Sequence, residues 1–203
     1  MQIPKKVKAH FKIADPILYE VIVKVGQMQE LPHRKNSDYF LDLVDIILSQ
    51  QLSGKVADVI ITRFKKLFTK EEITPQTVLK HKDDELRAIG VSYQKIKYIK
   101  DLSEKITKKE LDLASIRKMK DEDVILELIK VKGIGKWTAE MFLIFTLGRE
   151  DVFSHGDLGL NNAIKNIYKL EKHSQEIVEQ IVSKWSPYKS YASRILWKSL
   201  DNR

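Results

Sequence analysis

Apolar positions recur at helical spacing along nearly the whole of this 203-residue chain, and no stretch alternates in the manner of a strand. The clearest stripe is Ile96, Ile99, Leu102 and Ile106, whose steps of three and four put the aliphatic side chains on one face. Its plain meaning is core packing. The pattern predicts helices near residues 38–50, 53–69, 83–89, 92–107, 121–130, 136–147, 157–169 and 174–185. Three further starts share one device, a capping residue followed by proline at the first helical position: Asp15-Pro16, Thr74-Pro75 and Ser186-Pro187. Gly90 closes the helix before it. The expected fold class is all-α.

Two segments interrupt this pattern and are candidate crossovers, residues 28–36 with Pro32 and residues 148–156 bounded by Gly148 and Gly156. If the chain crosses at both, residues 38–147 form a middle helical lobe. Residues 1–37 and 148–203 form a second lobe from both termini. The junction is then a common place for a binding cleft.

Inside the middle segment the periodicity breaks on two glycines. Val124, Ile125, Leu128 and Ile129 mark one helix, Gly133-Ile134-Gly135 interrupts, and Trp137 begins a second, largely apolar helix. Helix, Gly-hydrophobe-Gly, helix is a helix-hairpin-helix, spanning about 121–147. Glycine allows unusual dihedrals and close approach of another backbone. The second helix opens with unpaired N–H groups and a positive dipole end, which suit a phosphate oxygen. Lys132 and Lys136 add charge there, so the candidate phosphate grip is Lys132, Gly133, Ile134, Gly135, Lys136 and Thr138. The alternative is a tight turn between two packed helices.

Composition narrows the chemistry. Lys and Arg total 36 against 28 Asp and Glu, a formal charge of +8, which favours a polyanionic partner. The basic residues lie all along the chain, so any binding face must be assembled by folding. There is no cysteine, which excludes a disulfide framework, a zinc–cysteine site and a cysteine-ligated iron–sulfur cluster. No apolar run is long enough to span a membrane, and residues 1–10 are basic without the apolar core of a signal peptide. An intracellular soluble protein is expected. His33, His81, His155 and His173 lack metal-like spacing, and neither a Ser–His–Asp pattern nor a Walker loop occurs.

Asp157 heads the segment Asp157-Leu158-Gly159-Leu160 about twenty residues after the hairpin. It reads as a plain N-cap or as a catalytic carboxylate. The two are compatible, because a carboxylate accepting backbone N–H bonds is favoured in its charged form and a charged carboxylate can stabilise a cationic transition state or activate water. His155 lies close to it in sequence. Trp137 and Trp197 read as core or as a sandwich for a flat base; Trp185 reads as core alone. Ser49-Gln50-Gln51-Leu52-Ser53 separates two apolar helices, either as a polar turn or as a wedge for a gap in a duplex.

These residues together resemble the helix-hairpin-helix (HhH-GPD) DNA glycosylases, and among them the 3-methyladenine DNA glycosylase II family. The resemblance runs from about residue 38 to residue 200. It rests on the ordered blocks 48–53, 131–139, 147–160 and 186–197. It implies a two-lobed helical fold with duplex DNA across the cleft. It makes Asp157 the catalytic aspartate, Trp137, Trp197 and Met141 the lining of the base pocket, and Gln51 the wedge, with Leu52 beside it. It implies a monovalent cation, Na+ or K+, on the main-chain carbonyls of Ile129, Val131 and Ile134, and no iron–sulfur cluster. Bifunctional members carry a lysine nucleophile where this chain has Trp137. Lys136 points about 100° away around the helix, so no lyase step is implied. Ser154 stands where the family usually has proline, and Met141 where an aromatic can line the pocket.

The function implied is hydrolysis of the N-glycosidic bond of alkylated purines of the 3-methyladenine or 7-methylguanine type. The base would be flipped out, and an abasic site left. The implied partner is double-stranded DNA with damaged bases, met by a monomer in the cytoplasm or nucleoid of a bacterium or the nucleus of a eukaryote. The competing readings are a non-catalytic helix-hairpin-helix binder of damaged or branched DNA, and a glycosylase for an oxidised or deaminated base.

Overall fold

The computed structural model describes residues 3–27, 31, 39–68, 72–171 and 174–201. Among these the regular elements are helices throughout, with no strand. They are α1 (Lys5–Ala14), α2 (Pro16–Val25), α3 (Tyr39–Ser49), α4 (Gly54–Leu67), α5 (Pro75–Lys80), α6 (Asp83–Ala88), α7 (Tyr93–Thr107), α8 (Asp121–Leu128), α9 (Lys136–Phe145), α10 (Leu158–Ile167), α11 (Gln175–Val182) and α12 (Lys189–Asp201). Short 3-10 turns follow at Ile116–Lys118 and Ser183–Trp185. The crossover expected at 28–36 lies, apart from Leu31, outside the described residues, as do Asp38, His33 and His173. No described helix is long and apolar enough to cross a membrane.

The proline devices hold at two of three places. Asp15 caps α2 through Leu18 N, and Thr74 caps α5 in a reciprocal box with Thr77. At the third, the expected start at Ser186-Pro187 is corrected. The Ser186–Pro187 peptide is cis and α12 begins at Lys189. The cap there is a distant acid: Asp151 accepts from Ser186 Oγ at 2.6 Å and from Lys189 N at 3.2 Å. The helix α1 was not anticipated, because its buried Val7 and Phe11 are only two apolar marks in a lysine-rich segment. The helix expected over 174–185 stops at Val182 and tightens into a 3-10 turn.

Contacts divide the chain into two compact units, Met1–His33 with Leu143–Arg203, and Arg34–Phe142, so the boundary falls within α9. In the first unit α2 packs on α1 and α12, and α10 packs on α12. Its core is organised around an acid. Asp15 is 4% exposed. It accepts from Leu18 N at 3.0 Å, from the Tyr168 hydroxyl at 2.5 Å and from Trp185 Nε1 at 2.7 Å. Burial, with Asp15 beside it, pushes the Tyr168 phenol far above its ordinary range, so it serves as a fixed donor. Three elements, the start of α2, the end of α10 and the 3-10 turn at Trp185, are thus pinned to one carboxylate.

In the second unit α3, α5 and α6 pack on α7. The stripe of α7 is core as read: Ile96, Ile99 and Leu102 are fully buried. Gly90 ends α6 with φ +99°, and a Cβ there would stand 2.7 Å from Ile60 Cδ1.

Asp15→Ala leaves an indole N–H, a hydroxyl and a backbone N–H without acceptors in the core. Urea unfolding should show a loss of about 3–5 kcal/mol, since each of the three stranded donors costs at least about 1 kcal/mol. A loss below about 1 kcal/mol would contradict the pinning role.

Candidate functional site

The glycine hairpin lies in the second unit, joining α8 to α9. Gly133 has φ +82°, and a Cβ on it would sit 2.1 Å from Tyr98 Cδ2, so the turn needs glycine for both dihedral and space. Val131 and Ile134 anchor the turn in the core, and Ile134 N donates to Val131 O at 3.1 Å. Gly135 differs: a Cβ there meets nothing within 4 Å. It marks an open surface that the backbone of another molecule could approach.

Asp101 of α7 seats the hairpin from below. Its Oδ2 accepts from Lys132 N at 2.9 Å, and its Oδ1 lies 3.5 Å from Lys132 Nζ. Burial pushes this carboxyl up, but the Lys132 N–H and the Lys105 and Lys132 ammonium groups together hold it below its ordinary value. The sign follows: its contribution is complete above about pH 4, the ordinary aspartate value, and is lost as pH falls through the lowered folded value.

Two expected hairpin contacts change character. The Lys132 N–H is committed to Asp101, so Lys132 can offer a ligand only its exposed ammonium. Thr138 is 5% exposed and its hydroxyl is turned inward, where Gln50 reaches it. The remaining grip is the exposed start of α9 at Gly135 and Lys136, where the positive end of the helix dipole lies. Trp137 is 45% exposed at that turn, and Met141, one turn on, is buried. Lys136 Nζ stands 3.9 Å from Glu140 Oε1.

The glutamine loop belongs to the same unit. Leu52 N donates to Ser49 O at 3.2 Å, closing a turn with Gln51 near its tip. Gln51 has φ +57°, a left-handed conformation that costs a side-chain-bearing residue about 1–2 kcal/mol. Its neighbours hold it. Gln50 Nε2 donates to Gly133 O at 2.9 Å and to Thr138 Oγ1 at 3.3 Å. Lys95 Nζ donates to Leu48 O and to Gln50 O, each at 2.7 Å. Partial burial lowers the pKa of this lysine. Gln51 and Leu52 remain exposed at the tip.

The carboxylate site lies in the first unit. Asp157 is the N-cap of α10 and 8% exposed. Its Oδ1 accepts from Leu160 N at 2.8 Å and from Trp197 Nε1 of α12 at 3.2 Å. The cap and the indole thus meet on one oxygen. A Cβ at Gly159 would stand 3.1 Å from that oxygen and 3.5 Å from Trp197 Cδ1, so glycine keeps the space beside them. Trp197 stacks on Phe145, ring centroids 5.7 Å apart and planes 31° from parallel. Arg194 lies over the same Phe145 ring at 5.9 Å, its guanidinium pKa pushed down by burial. His155 pairs with Glu179 at 3.3 Å and rests edge-on against Phe153, while its carbonyl accepts from Asn161 Nδ2. Sequence reasoning left Gln50, Lys95, Asp101 and Tyr98 unassigned. The paired glutamines flagged the loop, but nothing local marks the lysine, acid or tyrosine that α7 brings to it.

The carbonyls expected to hold a monovalent cation are those of Ile129, Val131 and Ile134. Val131 O already takes the Ile134 N–H, but a carbonyl oxygen keeps a second lone pair. Among the described residues no group of three His, Asp or Glu side chains could hold a metal ion.

A helix-capping carboxylate bonded to an indole, and a glycine hairpin that opens the amide end of another helix, point to a class of helical proteins built around these two devices. Residues 44–187 match the HhH-GPD superfamily of base excision DNA repair proteins, and the chain belongs to it. YfjP of Bacillus subtilis, which carries the name of a DNA-3-methyladenine glycosylase, is 34% identical over 166 residues, covering 78% of this chain. The chain spans 58% of that relative's length. The crystal structure of a DNA-3-methyladenine glycosidase from Bacillus halodurans superposes with a TM-score of 0.82 at 34% identity, covering 97% of this chain and 89% of that one. The 3-methyladenine DNA glycosylase Mag1 of Schizosaccharomyces pombe, solved in complex with abasic DNA, gives 0.79 at 27% identity, with 97% of each chain covered.

The two glycines should separate in stability. Gly133→Ala should destabilise by about 1–3 kcal/mol, from the positive φ and the collision with Tyr98. Gly135→Ala should stay within about 0.5 kcal/mol of the parent in the same denaturant experiment, as an uncrowded surface change does. Equal losses would mean that packing, not access, explains both.

Proposed function

We propose that this chain is a monofunctional DNA glycosylase of base excision repair that removes alkylated purines from duplex DNA. The observation that carries the reading is the hold on Asp157: one oxygen fixed by Leu160 N and Trp197 Nε1 in a chain of this superfamily. A purine methylated at N3 or N7 is cationic and leaves readily, so the reaction needs little acid catalysis. The bond from the sugar C1′ to the base nitrogen breaks and its electron pair departs with the base. A water oxygen adds to C1′ and loses its proton, leaving an abasic site. A carboxylate beside C1′ stabilises the oxocarbenium-like sugar and orients that water, work for which a fixed, preorganised group is suited.

The indole of Trp197, bonded to Asp157, offers a flat surface for the extruded base. A cationic base on an indole face gains about 0.5–2 kcal/mol that a neutral one does not. The amides of α9 and Lys136 take a backbone phosphate. Gln51, with Leu52, fills the gap in the stack; the carbonyls of Ile129, Val131 and Ile134 would hold a monovalent cation, which would stiffen the hairpin. Strand cleavage through a Schiff base needs an amine at the position of Trp137. Lys136, the neighbouring residue of α9, points about 100° away around the helix and does not supply one. The enzyme acts as a monomer.

Incubation of the protein with methylated duplex DNA, with chromatography of the released bases, checks the reading. Free 3-methyladenine or 7-methylguanine should appear, with strands that break only after alkali. Binding without any released base would favour a non-catalytic damage binder. Release confined to oxidised or deaminated bases would keep the glycosylase and overturn its substrate.

A further inference from the structure

We propose that Gln50 and Lys95 are positioning residues that hold the Gln51–Leu52 tip ready for insertion and tie it to the glycine hairpin. Phosphate capture and gap filling would then act as one rigid device. The inference rests on the reading of this chain as a base-flipping glycosylase. Neither residue is part of the expected grip or wedge, and both point into the protein rather than at a ligand.

The argument is one of restraint. Gln51 adopts φ +57°, which a glutamine leaves unless its surroundings fix it. Lys95 fixes it from below, with Nζ 2.7 Å from the carbonyls of Leu48 and Gln50, at the negative end of α3. Gln50 fixes it from the side. Its amide spans from Gly133 O to Thr138 Oγ1, and so bridges the last residue before the tip to the turn and the second helix of the hairpin. The tip is therefore registered against the turn that would hold the phosphate. A loose tip would have to be ordered at the moment of insertion, and that entropy would be lost from the affinity for a gapped stack. A tip ordered beforehand avoids this, at the cost of one strained dihedral.

The test measures wild type, Lys95→Met and Gln50→Ala against two duplexes, one intact and one with an abasic-site analogue facing 2-aminopurine. Fluorescence anisotropy gives the ratio of the two dissociation constants, and 2-aminopurine emission reports disturbance of the stack opposite the gap. Wild type should prefer the abasic duplex, and each variant should lose about tenfold of that preference, the factor a shift of about 1.4 kcal/mol produces. The emission change should shrink in parallel. Thermal melting identifies variants that remain folded; Lys95 is only half-buried, and methionine keeps its stem. Lys95→Arg, which keeps a cationic donor for the carbonyls of Leu48 and Gln50, should retain more of the preference than Lys95→Met. Full preference and emission change in both folded variants would overturn the inference alone. A wild type that does not distinguish the two duplexes would overturn the glycosylase reading and this inference with it.

Discussion

A single carboxylate oxygen, Asp157 Oδ1, organises the site on which the proposed chemistry depends. It accepts the N–H that opens α10 and the indole N–H of Trp197, so capping a helix and placing an aromatic wall are the same act. The cap geometry fixes the carboxylate through the backbone rather than through a long flexible side chain. Such a group loses little on reorganisation when charge develops near it. The aromatic partner then follows: Trp197 is set by its bond to Asp157 on one side and by its stack on Phe145 on the other. Gly159 keeps the adjacent space open, since a Cβ there would crowd Asp157 Oδ1 at 3.1 Å.

The first unit carries the same device twice. Asp15 caps α2 and collects Tyr168 and Trp185, as Asp157 caps α10 and collects Trp197. The two differ in what surrounds them. Asp15 takes three donors deep in the core and has a structural task. Asp157 stands beside a glycine and a half-buried indole, the setting on which the proposed chemistry rests. The second unit divides its glycines in the same spirit, with Gly133 required by the Tyr98 ring and Gly135 left open.

Much of this was legible in the sequence, and the boundary of legibility is physical. Helical periodicity marked the long elements, because burying one face forces a regular stripe, as in α7. Asp15, Thr74 and Asp157 were readable as caps because a capping bond spans only three residues. Asp151 was not, because it caps α12 from 38 residues away. The helix α1 stayed hidden because Val7 and Phe11 are too few to make a pattern. The partners that seat the hairpin, Asp101, Tyr98 and Gln50, are tertiary neighbours, and nothing in their local sequence names the turn they meet. The inward direction of Thr138 has the same cause: a hydroxyl at the start of a helix can face a ligand or the core, and only Gln50, 88 residues away, decides which.

Asp157→Asn tests the central claim most directly. Asparagine retains an oxygen that can accept from Leu160 N and Trp197 Nε1, so the substitution removes charge with little change of shape. Single-turnover excision from an alkylated duplex should fall by about 10²–10³, the scale of one preorganised electrostatic group, while the dissociation constant for the same duplex stays within about twofold. Excision at the wild-type rate would contradict the account, and would reduce Asp157 to a helix cap that holds a tryptophan in place.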